Sequence, residues 1–276
     1  MTNATRRGWF EVATVDHGLR PESAGEAQFV ADLCRDMGVP HATLKVQLRA
    51  GNVQAEARRA RYAALHDWAR GRGLGTIATA HHADDQAETV LMRLNRGSGL
   101  GGLSGIRRET YPFEDGMAVI RPLLGWRKAE LERIVAAAGI APVLDPSNRN
   151  LDFDRVRVRK LLAETDWLDP LTIARSAAHL ASAQALLARL SGREWDERVE
   201  VSDTCIRYRP LQPAIIRLSI VERAIRALGG GESRGGAVAA LEATLSAGGR
   251  GNLGGVMARA VDGVWVFEPE PPRRTG

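Results

Sequence analysis

Apolar positions in the first half of the chain switch between a period of two and a period near 3.6, the mark of strands alternating with helices. Trp9-Phe-Glu-Val-Ala-Thr-Val15 alternates and is rich in β-branched and aromatic residues, so it reads as a strand. Asp16-His-Gly-Leu-Arg-Pro-Glu-Ser23 follows as a loop, and Ser23 can cap a helix carrying Ala27, Val30, Ala31 and Cys34. Gly38-Val-Pro40 ends that helix. A second strand is expected near His41 to Val46, then a helix from about Val53 to Arg70 with Ala57, Ala60, Ala64 and Leu65 on one side. A third strand, Gly75 to Ala80, runs into a helix from Ala83. Steps of about 100° put Ala83, Ala87, Val90, Leu91 and Leu94 of that helix on one buried stripe. Asp84, Asp85 and Glu88 fall on a neighbouring arc, which His81 joins if the first turn extends back to it.

Beyond this helix Gly97 to Gly105 predicts a glycine-rich loop, and Met117 to Leu124 a strand stopped by Pro122. Trp126 to Ala138 is an amphipathic helix ended by Gly139, with Lys128 and Glu132 at helical spacing. Strands separated by helices of this length imply βαβ units, a parallel sheet and the α/β class. Asp145-Pro-Ser-Asn148 is a turn signal. Asp154-Arg-Val-Arg-Val-Arg-Lys160 leaves two possibilities open: a strand with Arg155, Arg157 and Arg159 on one face, or a helix that spreads them. Leu171 to Trp195 reads as a long connecting helix. Thr204 to Tyr208, helices around Ile215 to Leu228 and Ala237 to Leu245, and strands Gly254 to Ala260 and Gly263 to Phe267 make a small α+β unit.

Composition narrows the class. With 276 residues the chain can hold two cores, and 44% hydrophobic with 26% charged residues is an ordinary soluble profile. Lys plus Arg is 38 against 33 for Asp plus Glu, and the resulting +5 favours a polyanionic partner. An aromatic fraction of 5% argues against a stacking platform for single strands. Cys34 and Cys205 are the only cysteines, so disulfides, zinc ribbons and cysteine-held clusters are not expected. Without a run of about 18 apolar residues or the apolar core of a signal peptide near Met1, a cytoplasmic protein with no membrane partner is expected.

The chemistry concentrates at His81-His-Ala-Asp-Asp-Gln-Ala-Glu88. Three carboxylates within two turns repel one another, and a Mg²⁺ ion, a substrate ammonium or an arginine would offset that. Acids in a first turn also complement the helix dipole, by about 0.3–1 kcal/mol each. The position after a strand's carboxyl end favours a ligand site, since open α/β sheets bind ligands there. Residues 149 to 160 hold five bases against two acids, either a solvated surface or a grip on phosphates.

Asp16-His-Gly-Leu-Arg-Pro-Glu-Ser23, Glu56-Ala-Arg-Arg-Ala-Arg-Tyr62, His81-His-Ala-Asp-Asp-Gln-Ala-Glu-Thr89, Arg96-Gly-Ser-Gly-Leu-Gly-Gly-Leu-Ser-Gly105, Arg121-Pro-Leu-Leu124 and Asp145-Pro-Ser-Asn148 occur in an order and spacing that resembles the tRNA(Ile)-lysidine synthases, over roughly residues 10 to 165. Gly251 to Phe267 resembles the close of that family's first C-terminal domain. The resemblance implies a Rossmann-like, adenine-nucleotide alpha-hydrolase-like domain of the PP-loop superfamily. It implies ATP and Mg²⁺, free L-lysine and an isoleucine tRNA with a CAU anticodon. In that chemistry ATP adenylates C2 of the wobble cytidine through its oxygen, and lysine then displaces AMP. The division implied is 1–165 for a catalytic domain, 166–200 for a helical connector, 201–268 for a small tRNA-binding domain and 269–276 for a disordered tail. A homodimer is one assembly open to it.

Carried over by position, the resemblance makes His81, Asp85, Glu88 and Arg61 catalytic, with Asp85 organising Mg²⁺ or the amine and Glu88 binding the lysine ammonium. Asp16, His17, Asp84, Gly97 and Gly99 would bind nucleotide, and Arg155, Arg157, Arg159 and Lys160 would bind tRNA. Two departures stand out. Val156 replaces an asparagine between the arginines, and the family's first strand with its Ser-Gly-Gly-x-Asp-Ser phosphate loop has no counterpart in these residues. A start codon assigned too late is the expected explanation; a decayed gene, or a shortened protein keeping only tRNA binding, are the others. A catalytically inactive tRNA-binding homologue or another PP-loop tRNA-modifying enzyme are the alternative functions. The lack of Cys-x-x-Cys counts against the cluster-dependent thiolases.

Overall fold

The computed structural model describes residues 10–18, 23–47, 53–143, 154–231 and 235–271; Asp145 to Asn148 lies outside them. In chain order the elements are β1 (Val12–Asp16), α1 (Ser23–Asp36), β2 (His41–Lys45), α2 (Val53–Gly71), β3 (Thr76–Ala78), α3 (Ala83–Asn95), α4 (Leu100–Leu103), β4 (Glu109–Thr110), β5 (Ala118–Ile120), α5 (Lys128–Ala137), α6 (Asp154–Glu164), α7 (Pro170–Arg198), β6 (Val199–Val201), β7 (Ile206–Tyr208), α8 (Ala214–Ala227), α9 (Gly235–Ser246), β8 (Arg250–Leu253), β9 (Val256–Val261) and β10 (Val264–Pro269). They fall into two compact units, Met1–Met92 with Ile106–Ala174, and Arg93–Gly105 with Arg175–Gly276.

In the first unit the sheet is mostly parallel, as the alternation of periods predicts. β1 and β2 pair in parallel from Val12↔His41 to Asp16↔Lys45, with α1 as the crossover. β3 and β5 pair in parallel from Thr76↔Ala118 to Ala78↔Ile120, and β4 adds an antiparallel edge to β5. Among the described residues these are separate ladders, and α2 packs against both β1 and β3. Ala27 and Cys34 bury the inner face of α1, and Gly38 takes a positive φ of 67° where that helix turns into β2. Under α2 a core forms from Ala69, Ile77, Met117 and Val119, with Tyr62, Leu65 and Trp68 packed on it.

The second unit is built on a five-stranded antiparallel sheet ordered β6-β7-β10-β9-β8. Ile206, Tyr208, Val256, Ala258, Trp265 and Phe267 bury one sheet face against Ile220, Val221, Ala224, Ile225, Val238, Leu241 and Leu245 of α8 and α9. Tyr208 donates its buried hydroxyl to Glu194 Oε1 at 3.0 Å, and burial followed by this carboxylate pushes the phenol pKa up.

Two local expectations are corrected. Leu94, placed on the buried stripe of α3, is 57% exposed, while Gln86 and Glu88 are buried. Gln86 is satisfied because its side-chain amide pairs with the backbone of Ile106 in both directions, as a strand neighbour would. The expected glycine loop contains a helical turn, α4. Arg93 Nη1 ties that turn down by donating to the carbonyls of Gly102 (2.8 Å) and Gly105 (3.0 Å).

Candidate active site

His81, Asp84, Asp85 and Glu88 sit where β3 gives way to α3. Thr79 continues the ladder past β3 by donating its N–H to the Ile120 carbonyl at 3.0 Å. The chain then turns through His81 and His82 into the helix. His82 holds the N-cap position: its Nδ1 accepts the Asp85 N–H at 3.3 Å, while Asp85 Oδ2 accepts the His82 N–H at 3.1 Å. This is the reciprocal arrangement of a capping box with an imidazole in the hydroxyl's role. Asp85 Oδ2 lies 3.4 Å from His82 Nε2 as well. Asp84 turns the other way, accepts the Lys128 N–H at 2.7 Å at the start of α5, and lies 3.5 Å from Arg127 Nε. Arg127 in turn donates to Asp169 at 3.0 Å, whose other oxygen caps α7 through the Thr172 N–H and hydroxyl.

Residues 154 to 160 are helical, which settles the alternative left open by their alternation. Arg155 and Arg159, one turn apart on α6, face α3, while Arg157 pairs with Asp154 on its own helix. Glu88, 2% exposed, accepts Arg159 Nε at 2.7 Å on Oε1 and Arg155 Nε at 2.6 Å on Oε2. Arg155 reaches Asp85 Oδ1 as well, at 3.0 Å. Arginine is therefore what balances the carboxylates of α3 here, since a charge this deeply buried persists only when paired. Hydrogen bonding to Glu88 raises the Arg159 pKa above its ordinary value. Lys160 sits on the outer side of α6, 3.7 Å from Glu164.

His81 shares a 2.9 Å hydrogen bond between Nδ1 and Thr79 Oγ1. Burial lowers its pKa first; Asp85 opposes this, and Arg121, Arg58 and Arg155 add to it, so the ring is neutral at neutral pH. Arg121, 4% exposed at the end of β5, donates to the Arg107 carbonyl (2.9 Å) and Thr110 Oγ1 (3.2 Å). One helical turn from Arg58, Arg61 lies 3.3–3.4 Å from His17 Nε2 at the end of β1. Because a guanidinium only donates, His17 Nε2 is the acceptor and the ring proton is on Nδ1, which is buried with no partner among the described residues. Burial and then Arg61 lower the His17 pKa. Asp16 accepts from Ser23 Oγ at 2.7 Å and from the Gly18 N–H at 2.9 Å, bonds that hold its pKa down and fix the loop bearing His17.

Of the residues singled out from sequence, the structure thus joins Asp85, Glu88, Arg155 and Arg159 directly, with the Asp85 and Arg155 charges acting on His81. It joins Arg61 to His17 and Asp16 to the same loop. Gly97 and Gly99 belong to the second unit, where Gly97 has a positive φ of 66° and Gly99 precedes α4. Sequence reasoning missed His82, Gln86, Arg121, Arg127 and Asp169. The signal for Arg121 was present, a charge placed at the end of an apolar strand.

Residues 3–165 match the PP-loop domain family ATP_bind_3. The chain is 48% identical over 270 residues to the tRNA(Ile)-lysidine synthase of Novosphingobium aromaticivorans, covering 96% of this chain and 82% of that protein. The chain belongs to the tRNA(Ile)-lysidine synthase family. The synthase of Zymomonas mobilis is 38% identical over the same shares, and that of Methylobacterium nodulans is 38% identical over 96% of the chain and 84% of its own length. Part of the fold is also similar to a solved structure, the U34-tRNA thiolase NcsA from Methanococcus maripaludis with its [4Fe-4S] cluster. That likeness has a TM-score of 0.51 at 16% identity and covers 61% of each chain. Among the described residues of this lysidine-synthase-family chain no helix is long and apolar enough to cross a membrane.

Proposed function

We propose that this chain ligates free lysine to C2 of the wobble cytidine of tRNA(Ile) with a CAU anticodon, at the expense of ATP, in the cytoplasm. Family membership supports the ligase class and the use of ATP. The observation that carries the residue assignment is Glu88, a buried carboxylate one turn from Asp85 and paired with two arginines.

The cytidine O2 attacks the α-phosphorus of ATP and pyrophosphate leaves; the lysine ε-amine, after losing a proton, attacks C2, and AMP departs with O2. Asp85 and Glu88 present oxygens one turn apart to the incoming ammonium. His81 is neutral, so when Nδ1–H donates to Thr79 Oγ1 its Nε2 has a lone pair for the proton released on attack. Arg61 and His17, which touch, and Asp16 in the same loop would serve the nucleotide, and Asp84, Gly97 and Gly99 are assigned to it by family resemblance alone. Arg155, Arg157, Arg159 and Lys160 hold tRNA phosphates, aided by the C-terminal unit.

Mg²⁺ would travel with the ATP phosphates and balance their charge. In this arrangement Asp85 Oδ1 is taken by Arg155 and Oδ2 by His82, so Asp85 would reach Mg²⁺ only by giving up one of them. No cluster of three or more His, Cys, Asp or Glu able to hold a metal exists among the described residues.

The test is transfer of labelled lysine to an isoleucine tRNA transcript with a CAU anticodon, using the chain and its reading frame extended upstream. A transcript with another anticodon serves as the control. Lysine incorporation that is lost in Glu88→Gln is expected; no incorporation by either protein, or equal incorporation by the variant, rejects the proposal.

A further inference from the structure

We infer that Arg155 occupies the place of the substrate ammonium, and that lysine and RNA phosphate bind together by exchange: the guanidinium leaves the carboxylates for a phosphate as the ammonium arrives. The inference rests on the lysidine reading and adds to it a coupling between the two substrates.

Arg155 is a cation bridging acids one helical turn apart, Glu88 Oε2 at 2.6 Å and Asp85 Oδ1 at 3.0 Å. Those are the oxygens the proposed mechanism assigns to lysine. Arg159 holds the opposite oxygen of Glu88 at 2.7 Å. Two carboxylates and two guanidinium groups make a neutral set, so an ammonium entering it would place three cations on two acids. Departure of one arginine restores neutrality.

Arg155 is the one able to leave. Its side chain is 45% exposed, against 37% for Arg159, and it lies in the first turn of α6. An arginine released from carboxylates needs another anion, and a phosphate oxygen pair matches the guanidinium fork equally well. Arg157 and Lys160, 64% and 58% exposed on the same helix, extend the basic surface on which that phosphate would rest. Exchange of this kind is a linkage, so RNA must raise the affinity for lysine by the same factor that lysine raises the affinity for RNA.

The experiment is calorimetric titration of lysine into the full chain, alone and saturated with a CAU anticodon stem-loop RNA, together with the reverse titration. RNA is expected to lower the lysine Kd by roughly 5-fold or more, and lysine to lower the RNA Kd equally. Norleucine, which keeps the α-amine but lacks the ε-ammonium, should show no such coupling. Arg155→Gln should bind lysine without RNA as tightly as the wild type does with RNA, and lose the coupling. A wild-type lysine Kd indifferent to RNA overturns the exchange. Weaker lysine binding by a folded Arg155→Gln also overturns it, because it would make Arg155 a prop for the carboxylates. If the RNA-bound wild type takes up no lysine at all, the lysidine reading falls too.

Discussion

Glu88 and Arg159 stand 71 residues apart in sequence and meet at 2.7 Å, joining the second turn of α3 to the second turn of α6. The carboxylate is buried while the guanidinium keeps a solvent-facing edge. Whatever moves α6 is therefore felt at the helix that carries the candidate acids.

Glu88→Gln keeps the shape and removes the charge that both arginines face. Breaking a fully buried pair costs about 3–5 kcal/mol, and because both guanidinium groups are partly exposed, roughly 1–3 kcal/mol is expected here. Urea denaturation measures it; a midpoint unchanged from wild type would show that the pairs contribute nothing to the fold.

His81 should govern the acid side of the pH profile. With its folded pKa lowered mainly by burial, the unfolded chain binds a proton first as pH falls below about 6.5. Its contribution to stability is thus kept above that pH and lost as pH drops toward the folded pKa. Lysine transfer should fall over the same window, and NMR titration of the His81 Cε1–H should place its midpoint below that of an exposed histidine. A midpoint at or above the ordinary value contradicts this.

Gln86→Ala removes both bonds to Ile106 and leaves backbone groups without partners, at about 1–3 kcal/mol. Gln86→Glu retains the acceptor but not the donor, so it should rank between the two in thermal unfolding. If Gln86→Ala melts with the wild type, the pairing is incidental.

Tyr208→Phe strips the donor from Glu194, itself 5% exposed, and should cost about 1–3 kcal/mol in the second unit. Guanidinium unfolding followed by tryptophan fluorescence, with Trp265 edge-on to Tyr208 at 5.7 Å, provides the readout. Stability equal to wild type would mean that Glu194 finds another partner.

The helices were legible because their signals are local. Ser23 with Ala27 and Cys34 marks α1, and Ala83 with Ala87 marks the inner face of α3. What escaped depended on distant partners. A glutamate counts as surface in any hydropathy pattern, and only Arg155 and Arg159 on α6 make the interior acceptable to Glu88. Helical spacing is consistent with that pairing: it brings Arg155 and Arg159 to Glu88 and sends Arg157 to Asp154. β4, β6 and β8 run two to four residues, too short to display a period. Of the candidate site, the acid-bearing turn and His81 could be read directly. The Asp84–Arg127–Asp169 chain could not, since its members come from three elements without local motifs.

The two ladders of the first unit share no strand pairing among the described residues, and α2 packs against both. Amide protons of β1 and β2 can then open without breaking the β3–β5 pairing, so exchange with deuterium should resolve two protection levels within one unit. Residues 12–16 bear the loop of His17 and residues 76–78 lead to His81. The proposed nucleotide and lysine sides would then differ in how readily their backbones exchange, although both are carried by one unit.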